Sequence, residues 1–204
     1  MPLAQKEFRV THLDQIETLS SPARQEILSS VETYGPCSIS EIADNLGRPA
    51  DSLYYHIRKM TRVGLLVDRG SRRARRRDEH LFDVPGRPMV TCEPQGPAAQ
   101  DAVLKTTAAM LRLTDRNVQE AFRSGEAVLE GPDQNVAACR AKGWLNPDER
   151  REVLDLMKRV HEIVNRGTTN HDGSDLMAVS MVATPVAPVD RAVSENGNGV
   201  GEPH

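Results

Sequence analysis

Apolar residues in the first half of the chain recur mostly at intervals of three and four. Leu13, Ile16 and Leu19 predict a short helix, and Ser21-Pro22 opens a second whose Ile27, Leu28 and Val31 face inward until Gly35-Pro36 breaks it. Ile39, Ile42, Ala43 and Leu46 give the next helix one apolar face. Ser38 with Glu41 forms its capping box, since hydroxyl and carboxylate each satisfy a free backbone donor. Gly47 stops that helix and Pro49 is pre-set for the opening of another. This last helix holds Leu53, Ile57 and Met60 on one side, with Val63 near its end and Gly64 as its stop. The period then shortens. Leu65-Leu66-Val67 reads as a strand, and His80-Leu81-Phe82-Asp83-Val84 alternates as a returning one. Phe8-Arg9-Val10 reads as a short edge strand or an ordered arm.

Between the two later strands stand Arg69, Arg72, Arg73, Arg75, Arg76 and Arg77, with only Gly70, Ser71 and Ala74 among them. Two helices joined by a tight turn, followed by a hairpin with an arginine-rich tip, make a winged helix-turn-helix. Such a unit can lay its second helix in a DNA major groove. The face of that helix away from Leu53, Ile57 and Met60 carries Asp51, Ser52, Tyr54, Tyr55, Arg58 and Arg62. These are hydrogen-bonding groups plus flat apolar area, suited to base edges and phosphates. Together with Arg72, Arg73, Arg75, Arg76 and Arg77 of the wing they form the expected DNA-binding surface.

The pattern from about Leu19 to Val84 resembles the winged helix-turn-helix domain of the arsenical-repressor-like (ArsR-type) transcriptional regulators. Leu19-Ser20-Ser21-Pro22-Ala23-Arg24 followed by Ile27-Leu28 is similar to that family's opening helix. Leu53-Tyr54-Tyr55-His56-Ile57-Arg58-Lys59-Met60 followed by Gly64-Leu65-Leu66 is similar to its recognition helix and first wing strand. The resemblance implies a dimeric DNA-binding domain. It implies neither an operator nor a signal.

Past the wing, PGRPMVTCEPQGP reads as an extended linker, because proline prevents helix. Residues 98 to 123 are alanine-rich and free of Gly and Pro. Ala99, Val103, Thr106, Met110 and Leu113 form a narrow stripe on this helix, expected to pair with a partner helix across a dimer. After a loop from Gly125 to Asp133, Val136 to Lys142 is expected to be a strand ending near Trp144. Asn146-Pro147-Asp148-Glu149 starts another helix, with a cap, a proline and acids at its positive end. Val153, Leu156, Met157, Val160, Ile163 and Val164 make that helix amphipathic. Gly167 to Ser174 reads as a polar loop, and Leu176 to Ala183 is β-prone. The end, through SENGNGVGEPH, has the composition of a disordered tail. The expected fold is thus mainly α with small β (α+β). A winged helix-turn-helix spans 1–90, a linker 91–97, a small α+β dimerisation or effector domain 98–184, and a tail 185–204.

Composition sharpens this. Aromatic residues are only 3% of the 204, so the cores must be aliphatic. The net charge of −3 conceals an asymmetry: between Arg48 and Arg77 ten Lys/Arg stand against Asp51 and Asp68, a local +8. From residue 98 onward twelve Lys/Arg face sixteen Asp/Glu. A basic patch inside an acidic chain is a footprint for a polyanion. Cys37, Cys92 and Cys139 are odd in number and widely spaced, which fits free thiols in a reducing cytoplasm. The first ten residues carry Lys6, Glu7 and Arg9 and no apolar run, so no signal peptide is read there. No stretch approaches a membrane span.

Other chemistries fit less well. A metal-sensing repressor would need clustered ligands, but Cys37 stands alone before its helix and residues 98–123 contain no His. His161, Glu162 and His171 lack ligand geometry, so no metal or cofactor is expected. His56 reads as a half-buried structural residue, and His80 as a strand residue at the wing base. There is no phosphate loop, nucleophile elbow or paired-histidine zinc helix, so no catalytic residue is assigned and an enzyme is not expected. A winged helix that binds RNA, single strands or a protein is the alternative, since Tyr54 and Tyr55 could stack on bases. The sequence reading is therefore a cytoplasmic homodimer on double-stranded DNA, open to an unidentified small-molecule or protein effector. Repression is the expected sign, because a dimer on a promoter blocks polymerase by default.

Overall fold

The computed structural model describes residues 7–74, 77–87, 89–91, 96–167 and 175–187. The chain begins with strand β1 (Phe8–Val10), then helices α1 (Leu13–Thr18) and α2 (Pro22–Tyr34). Strand β2 (Cys37–Ser38) leads directly into α3 (Ile39–Leu46). A single 3-10 turn, Ala50–Ser52, precedes α4 (Tyr54–Arg62). Strands β3 (Val67–Ala74) and β4 (Arg77–Asp83) form the wing, and β5 (Met89–Thr91) follows. The second half contains α5 (Pro97–Ser124) and α6 (Pro147–Gly167).

The fold is mainly helical, with a winged helix-turn-helix at the N-terminal side and a small sheet in the order β2-β4-β3, all antiparallel. Its core is aliphatic, as the scarcity of aromatics requires. Ile16, Ile27, Val31, Ile42, Leu53, Ile57, Met60, Leu65, Leu66 and Val84 are each at most 2% exposed.

The local signals act as chemistry dictates. Ser38 Oγ accepts from the Glu41 N–H at 3.3 Å, and the Ser38 N–H donates to Glu41 Oε2 at 2.8 Å. Gly47 takes the left-handed conformation, φ 59°, and the following Arg48 N–H closes back on Ala43 O at 3.0 Å. The start of α6 is a second capping box. Asn146 Oδ1 accepts from the Asp148 and Glu149 N–H groups at 2.9 and 3.0 Å, and Glu149 Oε2 accepts from the Asn146 N–H at 2.7 Å.

Five segments differ from the sequence expectation. Leu65 and Leu66 are not in a strand. The N–H of Leu65 caps the end of α4 by donating to Met60 O at 2.9 Å, so pairing begins only at Val67. Arg69, Arg72, Arg73 and Arg77 lie in the strands themselves, and the hairpin is longer than expected. Within the segment read as a linker, Met89–Thr91 pairs in parallel with Phe8–Val10, the register being Phe8 with Met89 and Val10 with Thr91. None of the three paired positions is a proline, so the needed N–H groups remain available. The stretches 136–142 and 176–183 are irregular, and among the described residues all strands lie before residue 92. Strands need a partner row of backbone groups, and neither stretch is offered one.

The face of α5 is the larger difference. Ala99 is 3% exposed, Val103 packs on the core, and Thr106 Oγ1 donates to Ile16 O at 2.9 Å. Met110 and Leu113, further along the same stripe, are half-buried. The stripe expected to meet a partner helix therefore lies, at its start, against the chain's own α1 and α2. Ala102 and Ala109 belong to the same inward face. No described helix is long and apolar enough to cross a membrane.

Candidate nucleic-acid interface

Three buried anchors aim α4. Leu53, Ile57 and Met60 are 1%, 2% and 0% exposed, so the opposite face must point to solvent. Tyr54 and Tyr55 are 53% and 66% exposed there. Arg58 and Arg62 are exposed beside them, and Asp51 and Ser52 are exposed on the preceding turn. The Ser52 hydroxyl is engaged locally, donating to Pro49 O at 2.7 Å. That bond stabilises the 3-10 turn, which is why α4 starts later than Pro49 alone suggests.

The wing presents its arginines on both faces, because side chains alternate along a strand. Arg72 turns toward α3 and its Nη2 reaches Glu41 Oε1 at 2.6 Å. Arg73, next in the strand, takes the other face and is exposed. Arg69 lies 3.7 Å from Asp83. Arg75 and Arg76 fall between the paired Ala74 and Arg77 and lie outside the described residues. Arg77 opens β4. Among the described residues, Arg58, Arg62 and Arg73 have no acidic partner, which leaves their charge available to a polyanion.

Between α4 and the wing runs a groove of about 480 Å³. Ile39, Ile57 and Phe82 line it together with Arg58, Arg62, Thr61 and His80. Thr61 and His80 were not among the expected contacts. Thr61 follows Arg58 by three residues and so shares its face, a signal the sequence contains. The position of His80 depends on strand register, which the sequence does not specify. Its Nδ1 lies 3.2 Å from Asp68 Oδ2 across the wing.

Titratable groups near this surface are shifted by identifiable causes. Burial, then the charges of Arg24, Arg48 and Lys59, hold His56 below the usual imidazole range, so it is neutral near pH 7. Its ring meets Tyr55 edge-on with centroids 5.5 Å apart. Burial opposes ionisation of Glu41, but the Ser38 N–H and Arg72 outweigh it and keep the carboxyl below the ordinary range. Burial, with Glu41 and Asp83 nearby, pushes the Cys37 thiol up to about 11. A thiol so protonated is a poor nucleophile and a poor metal ligand. Among the described residues no three His, Cys, Asp or Glu side chains group as metal ligands would.

Residues 19–69 match the family model described as a helix-turn-helix domain. No curated protein matches the sequence. Among solved structures, a Staphylococcus aureus MarR in complex with salicylate and kanamycin is 12% identical. The alignment covers 71% of this chain and 73% of that one with a TM-score of 0.25, a likeness too low to carry an argument. The family match and the folded unit agree: the N-terminal part is a winged helix-turn-helix domain of the kind that transcription regulators use to bind DNA.

Proposed function

We propose that the protein is a homodimeric, sequence-specific regulator of transcription that binds double-stranded DNA and represses, of the ArsR type that its helix-turn-helix motifs resemble. The observation that supports this best is the outward face of α4. Arg58 and Arg62 stand without acidic partners among the described residues, beside exposed Tyr54 and Tyr55 and a basic wing. In this reading α4 lies in the major groove, with Tyr54, Tyr55 and Arg58 toward base edges. Asp51, Ser52 and Arg62 lie at its borders. Arg72, Arg73, Arg75, Arg76 and Arg77 meet phosphates or the minor groove. Arginine suits both tasks, since its fork spans two acceptors on guanine or on phosphate.

The dimer is supported by a second face of α5. Leu104, Leu111, Val118 and Phe122 are 68%, 51%, 46% and 52% exposed. Their spacing of seven, seven and four places them in one row, about 27 Å long. This row lies opposite the inward stripe of Ala99, Ala102, Thr106 and Ala109. A helix already packed on one side and apolar on the other is suited to a two-fold contact with its copy. Leu113 continues the inward side beyond Ala109, with Met110 at its edge, both half-buried.

The deciding experiment compares affinity for duplex DNA, single-stranded DNA and RNA at one salt concentration, because affinities taken at different salt cannot be compared. Preference for a duplex, with selection of a two-fold sequence, is the expected result. Tighter binding to single strands would transfer the tyrosines to a stacking role and overturn the duplex reading.

A further inference from the structure

One carboxylate on α2 joins the turn of the helix-turn-helix to α5. The Glu26 side chain is only 16% exposed, and guanidinium groups converge on it from two other elements. Arg48, in the turn between α3 and α4, places Nη2 2.6 Å from Glu26 Oε2. Arg116, on α5, places its own Nη2 on Oε1. Each oxygen thus holds one arginine. The neighbouring Gln25 extends the junction, its Nε2 donating to Leu19 O at 2.7 Å and to Thr106 O at 3.0 Å. The packing of Ala99, Ala102 and Ala109 already holds α5 to the domain. The same apolar cluster takes in Leu53, Ile57 and Met60 of the α4 side, and the Glu26 contact adds a directional polar link from α5 to the turn itself. Both arginines are partly exposed, so these pairs contribute little as plain stabilisers. What two partners on one half-buried carboxylate provide is direction.

We infer that Glu26 is a positioning residue: it fixes the angle of the recognition helix to α5, and through α5 the spacing and rotation between the two recognition helices of the dimer. The inference rests on the dimeric DNA-binding reading above. Two-fold sites are read by helices set about 34–36 Å apart, one turn of DNA. A dimer prefers one spacing only as sharply as each α4 is held to the helix that makes the dimer. Glu26, with Arg48 and Arg116, supplies that stiffness.

The test uses the full-length wild type to select a two-fold duplex from a random pool. Its half-sites are then moved apart in single base-pair steps to about half a turn, about 5 bp. Wild type, Glu26→Gln and Arg116→Gln are compared on every spacing and on a single half-site, with sedimentation of each protein. Arg116→Gln alters a side chain that is 47% exposed and so keeps the fold even if Glu26→Gln does not. All three should sediment as dimers, and Arg116→Gln should bind a single half-site as wild type does. At half a turn of displacement the wild type should lose about 100-fold, the advantage of engaging two sites at once. The variants should lose less than about tenfold. A spacing profile in Arg116→Gln identical to that of wild type would overturn the relay, even if Glu26→Gln weakened a half-site through Arg48. A wild type that sediments as a monomer would overturn the dimer reading and the relay with it, a result visible before any variant is made.

Discussion

Arg72 in the wing and Glu41 in the first turn of α3 are joined at 2.6 Å, so a wing arginine expected on DNA is already held by an acid of its own domain. Arg73 beside it has no such partner among the described residues. Replacing Arg73 by Ala should lower the slope of log affinity against log salt by about 0.9, as for a full phosphate contact. Arg72→Ala should lower it by less, because Glu41 neutralises part of the charge. Titrations on one duplex at several salt concentrations measure both. Equal slopes for the two variants would show that Arg72 leaves Glu41 on binding.

Glu41 also closes the capping box of α3. Glu41→Ala should therefore cost about 1 kcal/mol of stability, the usual worth of a cap. Arg72→Ala, which leaves the cap intact, should cost less. Chemical denaturation of both variants checks the order.

Arg58 lies at the centre of the outward face of α4. If it reads a base, Arg58→Ala should cost about 1–3 kcal/mol on the selected duplex and relax preference at one position per half-site. If it touches only phosphate, all duplexes should weaken alike. Binding-site selection with wild type and variant, alongside a circular dichroism check of the fold, separates these outcomes. Unchanged affinity and preference would remove Arg58 from the interface.

The two faces of α5 predict opposite phenotypes. Leu111→Asp, on the exposed row, should leave the monomer folded and dissociate the dimer, since a charge would be buried against its mate. Ala109→Asp, on the inward face, should unfold the domain because Ala109 is 0% exposed. Sedimentation and thermal melts of both variants make the comparison. A dimer that survives Leu111→Asp would move the contact elsewhere.

His56 predicts a pH dependence. Its folded pKa lies below the unfolded value, so the unfolded chain takes up the proton first. Stability should be fully present above about pH 6.5, the ordinary imidazole value, and decline as pH falls below it. His56→Gln should flatten that decline relative to wild type in melts taken across the range.

The helix-turn-helix was legible because its signals are local. Ser38 with Glu41, Gly47, and the row of Leu53, Ile57 and Met60 each dictate a conformation within a few residues. Asn146 with Glu149 did the same for α6. The recognition face followed, since whatever opposes three buried anchors must be exposed. Features that depend on distant partners were not legible. Met89–Thr91 becomes a strand only because Phe8–Val10 lies beside it. On α5, periodicity revealed an apolar stripe but could not say that the alanine side would be chosen for the interior. Small side chains allow α5 to approach α1 closely, and this leaves the larger Leu104, Leu111 and Phe122 outside. The Glu26 junction links three elements far apart in sequence, so no local pattern announces it.

The parallel pairing of β1 with β5 has a consequence for how the domain can be transplanted. The chain enters at Phe8 and leaves at Thr91 from opposite ends of one three-residue ladder, within about 10 Å of each other. A unit whose entrance and exit nearly coincide can be grafted into a loop of another protein, or reopened at a different point and rejoined across its old ends, without stretching its host or itself. Such a transplant would carry α5 with it, because Ala102 on that helix belongs to the same core as Ile16 and Leu53.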